Sequence, residues 1–581
     1  MIRKIGEKSG PRIFVIGLDG ASFNHFDPLL KSGQLPGFSK YFEKGVRSDC
    51  LSVIPPLTPP AWSTMMTGVN PGKHGIYDFI QPGENGVFKM VTGSWRKRLS
   101  FIKRAGNAGI RTLSLLVPYT FPADPETNGI EISGLGTPSA GSDFIRPHDL
   151  RDKFLKEFPH LSEIDPTHGR SLDNLHAHLE NHTKETVRLI RESMGMFPDA
   201  GLVFAVFQAT DFIPHFYSRY FDKNHPDYDP DEKVPAGYRN ALSNIYMAID
   251  PLVEEMMAEV ENGGGHLILV SDHGSEPLIG TIGKDRFITD RLESLGFLKR
   301  GKEMGKAAQS VAAGAGSVAN RLVYILKKYT PHGVRNAFNQ VLGSKKEAIS
   351  EKLSAIPFME NIKFEETKAF CAPGGYGVGI YINRKSLFSH GIVDDGAEYF
   401  KIRDEIKKGF ECLEIESGVP LFNGVMYRED ALWGESIETA PDLFLLWRED
   451  PALKKNGYKL SDGSSLDPPG TKSGTELIWC GTHRMEGLVG FFGDGVNPGA
   501  NLQPIPSLTD IYPTIQMLAE LKIPSDIDGK PITGAFTDDF LKSCPPEYGP
   551  PEGGGGGSQS GLDDSENEKM QDLLKGLGYL N

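Results

Sequence analysis

Seven residues scattered along the chain have the types that divalent-metal and phosphoryl chemistry uses: Asp19, Thr58, Asp211, His215, Asp272, His273 and His483. Carboxylate oxygens mixed with imidazole nitrogens suit hard or borderline cations. Thr58 stands apart as the hydroxyl set among Pro55, Pro56, Pro59 and Pro60, placed like a nucleophile. Those prolines fix φ and bar both helix and ladder pairing, so a stiff turn is expected at Thr58. From Ala61 to Thr67 the pattern becomes helical. A helix starting there would turn its positive end and free N–H groups back toward Thr58, which suits a phosphoryl group. On this stretch alone, a proline-rich loop with an incidental threonine explains the residues as well.

The elements that must position these residues are short apolar strands alternating with helices. Arg12 to Leu18, Gly201 to Phe207 and His266 to Val270 are largely apolar runs, as expected of strands buried on both faces of a parallel sheet, and Arg111 to Val117 is a further strand stopped by Pro118 and Pro122. Val46 to Val53 is a further strand candidate, and helical periodicity follows the first run toward Phe42 and returns at Leu172 to Met196 and at Tyr238 to Val260. The expected fold is α/β: a doubly wound, mostly parallel sheet with helices on both faces. Such sheets bind ligands beyond the carboxyl ends of their strands, where Asp19, Asp211 and Asp272 fall. Asp is common in loops, so three strands ending in Asp could be coincidence, but two of the three also bring a histidine. Pro214 is expected in the first turn of a helix, with Asp211 at the strand end and His215 in that first turn. His176, His178 and His182 are read as solvated. For Asp272-His273, the plain alternative is a helix cap beside a surface histidine.

Later strands are expected at Ala369, at Gly379 to Ile382, at Asp442 to Trp447 and at Gly487 to Phe492, with Thr482-His483-Arg484 just before the last and a closing helix over Thr509 to Ile523. The 581 residues carry a formal charge of 62 − 76 = −14, which argues against a nucleic-acid duplex as partner, since that needs basic surface. Bound cations can still supply local positive charge for a phosphorylated substrate. Five scattered cysteines without a C-x-x-C pair read as reduced thiols. No apolar signal segment and no run of about 18 apolar residues is visible, so a cytoplasmic protein without a transmembrane segment is expected.

Taken in order, Gly17-Leu18-Asp19-Gly20, the run from Thr58-Pro-Pro to Thr67-Gly68 with Pro71 and His74-Gly75, Asp211 with His215, Asp272-His273-Gly274 and Gly481-Thr482-His483 resemble the alkaline phosphatase superfamily, most closely its type I phosphodiesterase and nucleotide pyrophosphatase branch. The resemblance spans roughly residues 11 to 531. It implies an alkaline phosphatase-like core and two divalent metal ions, zinc being favoured over manganese because three histidines join three aspartates. It further implies that Asp211, His215 and His483 hold one metal, while Asp19, Asp272 and His273 hold the other together with the Thr58 oxygen. A threonine hydroxyl is nearly inert at neutral pH until a cation lowers its pKa, and a second cation can stabilise the leaving oxygen. The implied reaction is hydrolysis of a phosphodiester or pyrophosphate bond through a phospho-threonine at Thr58.

One departure bears on specificity. The pyrophosphatase pattern has an asparagine shortly after the His-Gly motif, whereas here Ile76-Tyr77-Asp78-Phe79 supplies none. Phosphomonoester hydrolysis, phosphotransfer or mutase chemistry of the same superfamily, and a non-catalytic scaffold are the alternatives, and the substrate could carry a nucleotide or a lipid headgroup. The domain reading places the first part of the core at 11–300, a basic helical insertion at 301–350, the second part of the core at 351–544, and a Gly-rich linker and tail at 545–581. The insertion, with a helix over Ala307 to Lys328, is expected to cap the metal site or rest on an anionic surface; a solvated insertion without a role is the alternative.

Overall fold

The computed structural model describes residues 12–576 apart from 84–85, 163–170, 279–283, 302–361, 374–377, 416–417, 450–457, 461–462, 464, 467–478 and 554–561. Nearly all of the expected 301–350 insertion, with its helix, and residues 554–560 of the glycine linker lie outside the described residues.

Strand β1 (Arg12–Leu18) is apolar and buried from Ile13 onward because both of its faces are covered. Ile13 and Val15 enter one hydrophobic layer, whereas Phe14, Ile16 and Leu18 enter the other. Around it stand β2 (Val46–Leu51), β3 (Thr112–Val117), β4 (Gly129–Ser133), β5 (Ile145–Arg146), β6 (Leu202–Phe207), β7 (Gly265–Val270) and β14 (Glu486–Gly493). The eight strands lie in the order β2-β14-β7-β1-β6-β3-β4-β5. The five from β7 to β4 run parallel, and β14 and β5 run against their neighbours. Helices α1 (Phe23–Lys31), α2 (Pro36–Lys44), α4 (Leu172–Met196), α5 (Ala209–Phe221) and α6 (Ala241–Gly263) bury side chains in one layer, and α3 (Thr58–Thr67) and α9 (Ile511–Leu518) in the other. This is the doubly wound α/β sheet expected from the alternation of strands and helices.

The strands expected near 369, 379 and 442 form, but they do not extend this sheet. Strands β9 (Ala369–Cys371), β10 (Gly379–Ile382), β11 (Phe422–Tyr427) and β12 (Leu443–Trp447) pair antiparallel in the order β9-β10-β12-β11. They share a separate apolar cluster with α7 (Lys284–Ser294) and α8 (Ala397–Glu411). A ribbon of β8 (Gly274–Pro277) and β13 (Gly481–Arg484) lies beyond the end of β7.

Two further expectations, on the α4 histidines and on Pro214, are corrected, and the tail gains a helix. The histidines of α4 are not on a wet face: His178 is 4% exposed, and His178 and His182 recur at helical spacing with the buried Leu175 and Leu179. The C-terminal tail contains α10 (Asp564–Gly576), which seats Met570, Leu573 and Leu574 in the main core. Finally, α5 begins at Ala209, so Pro214 sits inside a helix rather than at its start. Among the described residues no helix is long and apolar enough to cross a membrane.

Candidate active site

Strand register does most of the positioning. In the parallel pairs Leu18 lies opposite Phe207 and Gly17 opposite Val270, so Asp19, the first residue beyond β1, and Asp272, the second beyond β7, arrive side by side. Asp211 follows β6 by one turn of α5, and His215 stands at i+4 on the same helix, so both face one point. His273 follows Asp272. His483 arrives from the far end of the sequence because β13 pairs with β8, setting His483 opposite Ser275. All seven candidate residues are buried, none more than 8% exposed.

The contacts divide the ligand atoms into overlapping groups. Asp19, Asp272 and His273 can each offer an atom within 4.8 Å of the others, and so can Asp211, His273 and His483. His215 Nε2 joins the second group, 3.1 Å from Asp211 Oδ2 and 3.0 Å from His483 Nε2. His273 thus stands between the two groups, its Nε2 3.2 Å from Asp272 Oδ2 and its ring stacked 3.6 Å from that of His483.

Each imidazole is aimed by its outer nitrogen. The Nδ1 atoms of His215, His483 and His273 lie 2.9 Å from Gly481 O, 2.8 Å from Pro56 O and 3.1 Å from Gly274 O, so each donates its N–H outward and turns Nε2 inward. Outward hydrogen bonds of this kind fix the tautomer of a metal-binding histidine. Trp62 Nε1 donates to Asp19 Oδ2 at 3.2 Å, and the Gly20 amide donates to Asp272 Oδ1 at 3.3 Å. Gly20 has φ +64°, and a Cβ there would come 2.5 Å from Asp211 Oδ1, so this position requires glycine.

Electrostatics point the same way. Burial, then the neighbouring Asp272 and Asp211, hold the Asp19 carboxyl well above the usual carboxylate range. Burial pushes Asp272 up to about 6, with Asp211 adding to the rise and His273 opposing it. Burial would raise Asp211 too, but His215 and His483 outweigh it and hold the group low. Burial and His273 push His483 well below the usual imidazole value. Three carboxylates closed off together are costly without compensating positive charge.

The residues fit bound cations on the structure's own terms. Asp19 Oδ1, Asp211 Oδ1, Asp272 Oδ2, His273 Nε2 and Thr58 Oγ1 are buried atoms without a hydrogen-bond partner. Such a cluster of orphaned polar atoms calls for an explanation. The donor set, three carboxylates and three imidazoles, is one that divalent metals take.

Thr58 is the first residue of α3 rather than part of a separate turn, because Pro59 and Pro60 are tolerated in a first turn that needs no intrahelical N–H. The same prolines remove two of the amide donors expected there, and Ala61 N is taken by Leu57 O at 2.9 Å. The anion-binding character of this terminus therefore rests on the helix dipole and on Thr58 itself. Trp62 lies at i+4 from Thr58 and bonds Asp19, which turns the Thr58 face of α3 toward that carboxylate.

Sequence reasoning missed Trp62 and Trp479. Trp479 stacks on His215 with ring centroids 3.9 Å apart. Trp62 could have been found from its helical spacing to Thr58; nothing adjacent in sequence marks Trp479. His74, part of the quoted motif, is no ligand: Nε2 lies 2.9 Å from Thr64 Oγ1, and Nδ1 accepts from the Ile76 amide. Burial, then Arg96 and Arg98, push its pKa down to about 3, so it serves as a neutral brace for the loop after α3.

The family model described as type I phosphodiesterase / nucleotide pyrophosphatase matches residues 13–355. No curated protein sequence matches the chain. Similar solved structures include phosphonoacetate hydrolase from Sinorhizobium meliloti 1021 in complex with phosphonoacetate, at 14% identity and TM-score 0.45 over 87% of this chain and 94% of that one. Murine ectonucleotide pyrophosphatase / phosphodiesterase 5 aligns at 11% identity and TM-score 0.44 over 89% of this chain and 97% of that one. Wild-type alkaline phosphatase PafA aligns at 12% identity and TM-score 0.49 over 91% and 99%.

Proposed function

The chain belongs to the type I phosphodiesterase / nucleotide pyrophosphatase family, whose members hydrolyse phosphoric esters, and on that premise we propose that it cleaves phosphodiester or pyrophosphate bonds with Thr58 as covalent nucleophile. The observation that carries this reading is the unpartnered Thr58 Oγ1, buried at the head of α3 one helical turn before Trp62, which donates to Asp19.

Two divalent cations, zinc favoured over manganese, would be held by Asp211, His215 and His483 and by Asp19, Asp272 and His273; when bound they supply the positive charge that acidifies a hydroxyl and offsets a leaving oxygen. Within that frame the protein's own residues divide the work. Trp62 and the Gly20 amide hold Asp19 and Asp272 in place, and the outward-bonded histidines present Nε2 to the site. Burial keeps bulk water from the Thr58 oxygen. Attack by that oxygen forms a bond to phosphorus as the bond to the leaving oxygen breaks, and water then cleaves the Thr58 ester. The substrate would be a phosphorylated small molecule, with a nucleotide or a lipid headgroup as the organic part. The five cysteines are free, which supports a reducing, cytoplasmic setting.

Thr58→Ala should lose turnover of an aryl phosphodiester by at least about 10³-fold while folding and metal content survive, and Thr58→Ser should retain part of it. Near wild-type turnover in the alanine variant would remove the assignment.

A further inference from the structure

Beside the candidate site, at the carboxyl ends of β6, β3 and β4, lies a cavity of about 30 Å³. Leu116, Leu135, Leu161 and Leu179 make most of its apolar wall, and Ser133, His182 and Gln208 supply its polar atoms. We propose that this cavity is a subsite for a short, uncharged group bearing a hydroxyl or carbonyl, forming part of the phosphoester substrate. The inference rests on the phosphoesterase reading above and adds what that reading leaves open, the chemistry of the organic part.

The cavity wall is built from the same strand ends that carry the candidate ligands. Asp19 N donates to Phe207 O at 3.2 Å, continuing the β1–β6 register so that Gln208 is the cross-strand neighbour of Asp19. Gln208 also precedes Asp211 by less than one helical turn. Thr210 Oγ1 donates to Asp19 O at 2.6 Å, fastening the turn that carries both the cavity wall and the ligand. Gln208 in the cavity wall thus lies one strand across from Asp19 and three residues before Asp211.

Hydrogen bonding in its wall is unmet. Gln208 Nε2 and Ser133 Oγ are buried and have no partner. Buried polar atoms of this kind ordinarily find one, so both fit an arriving acceptor and donor. Opposite them the chain is displaced: Leu116 adopts φ +59°, and the β3–β4 register skips from Leu115–Ile132 to Val117–Ser133. Non-glycine residues rarely take that conformation, and such outliers cluster at functional sites.

The walls also exclude charge. The lining holds no Lys, Arg, Asp or Glu among the described residues. Burial, then His160, push the His182 imidazole down to about 4, so it too is neutral. A second phosphate or an ammonium group would find no countercharge here. At roughly 10–15 Å³ for each water-sized site, the volume suits two or three heavy atoms.

The test uses the metal-loaded full chain and three 4-nitrophenyl phosphodiesters, carrying 3-hydroxypropyl, butyl or 3-aminopropyl. The 3-hydroxypropyl ester should show kcat/KM at least about 10-fold above the 3-aminopropyl ester and clearly above the butyl ester. Gln208→Leu should erase the preference for hydroxypropyl over butyl through KM, with metal content unchanged. Ala209→Leu, which fills the space, should raise KM for both neutral esters. Dissociation constants of the three esters on Thr58→Ala should follow the same order without turnover. Equal kcat/KM for all three, or a hydroxypropyl preference that survives Gln208→Leu, would show that the cavity holds only water and overturn the inference. Absence of turnover with any ester by metal-loaded protein would overturn the phosphoesterase reading instead, and the subsite with it.

Discussion

Asp78 offers a test of how burial acts in this protein, independent of any metal. Its side chain is 4% exposed, and Oδ1 accepts from the Phe79 amide at 2.6 Å. Burial pushes the carboxyl from its ordinary 3.8 up to about 7, the Phe79 hydrogen bond only partly opposing it. A folded-state pKa above the unfolded one means that the native protein binds the proton more tightly. The stability tied to that proton is fully present below about pH 4 and is lost as pH rises through about 7. A shift of about 3 units at about 1.4 kcal/mol each makes the whole effect about 4 kcal/mol, of which about 2 to 3 kcal/mol falls between pH 5 and pH 8. Asp78→Asn keeps the shape and the Oδ1 acceptor but cannot ionise. Urea denaturation of both proteins at fixed metal concentration should show the variant gaining on the wild type by that amount from pH 5 to pH 8. A difference that is the same at both pH values would refute the reasoning.

Elemental analysis of reconstituted protein should find two divalent ions per chain, and fewer than one equivalent with either zinc or manganese would sink the dinuclear reading. Trp62→Phe removes the donor to Asp19 while leaving an aromatic ring in the core, so metal affinity should fall by about 10- to 100-fold with the fold retained; unchanged affinity would mean that the hydrogen bond does not orient the ligand. Of an aryl phosphate monoester and its diester, the diester should turn over faster, and a monoester rate far above it would move the assignment to a phosphomonoesterase.

Much of the fold and of the candidate site is legible in the amino-acid sequence, and the reason is physical. Apolar runs at residues 13–18, 202–207 and 267–270 are what strands with two covered faces require, and each is followed by a polar residue that the sheet cannot bury without purpose. The start of α5 is not legible, because Pro214 normally marks a first turn and only tertiary packing lets the helix begin five residues earlier. The α4 histidines mislead because their polarity suggests water, while their spacing with Leu175 and Leu179 points inward. Strands β9 to β12 carry ordinary strand patterns, which do not say which sheet a strand joins.

The site itself shows why local patterns stop short of function. Strand order sets β7, β1 and β6 side by side although they lie far apart in sequence, and parallel register then aligns Asp272, Asp19 and Gln208 along one edge. Two of those three residues are candidate ligands and one lines the cavity, so on the proposed reading a single row of strand ends would supply both the charged half and the neutral half of a binding site. A motif comparison finds the charged half, because carboxylates and histidines recur wherever the same metal chemistry is needed. It passes over Gln208 and Ser133, whose meaning comes only from the unpartnered atoms they hold beside Leu116. On the proposed reading catalysis and specificity would be set by adjacent residues of one register, and a change confined to the neutral half should alter the choice of ester without disturbing the metal ligands.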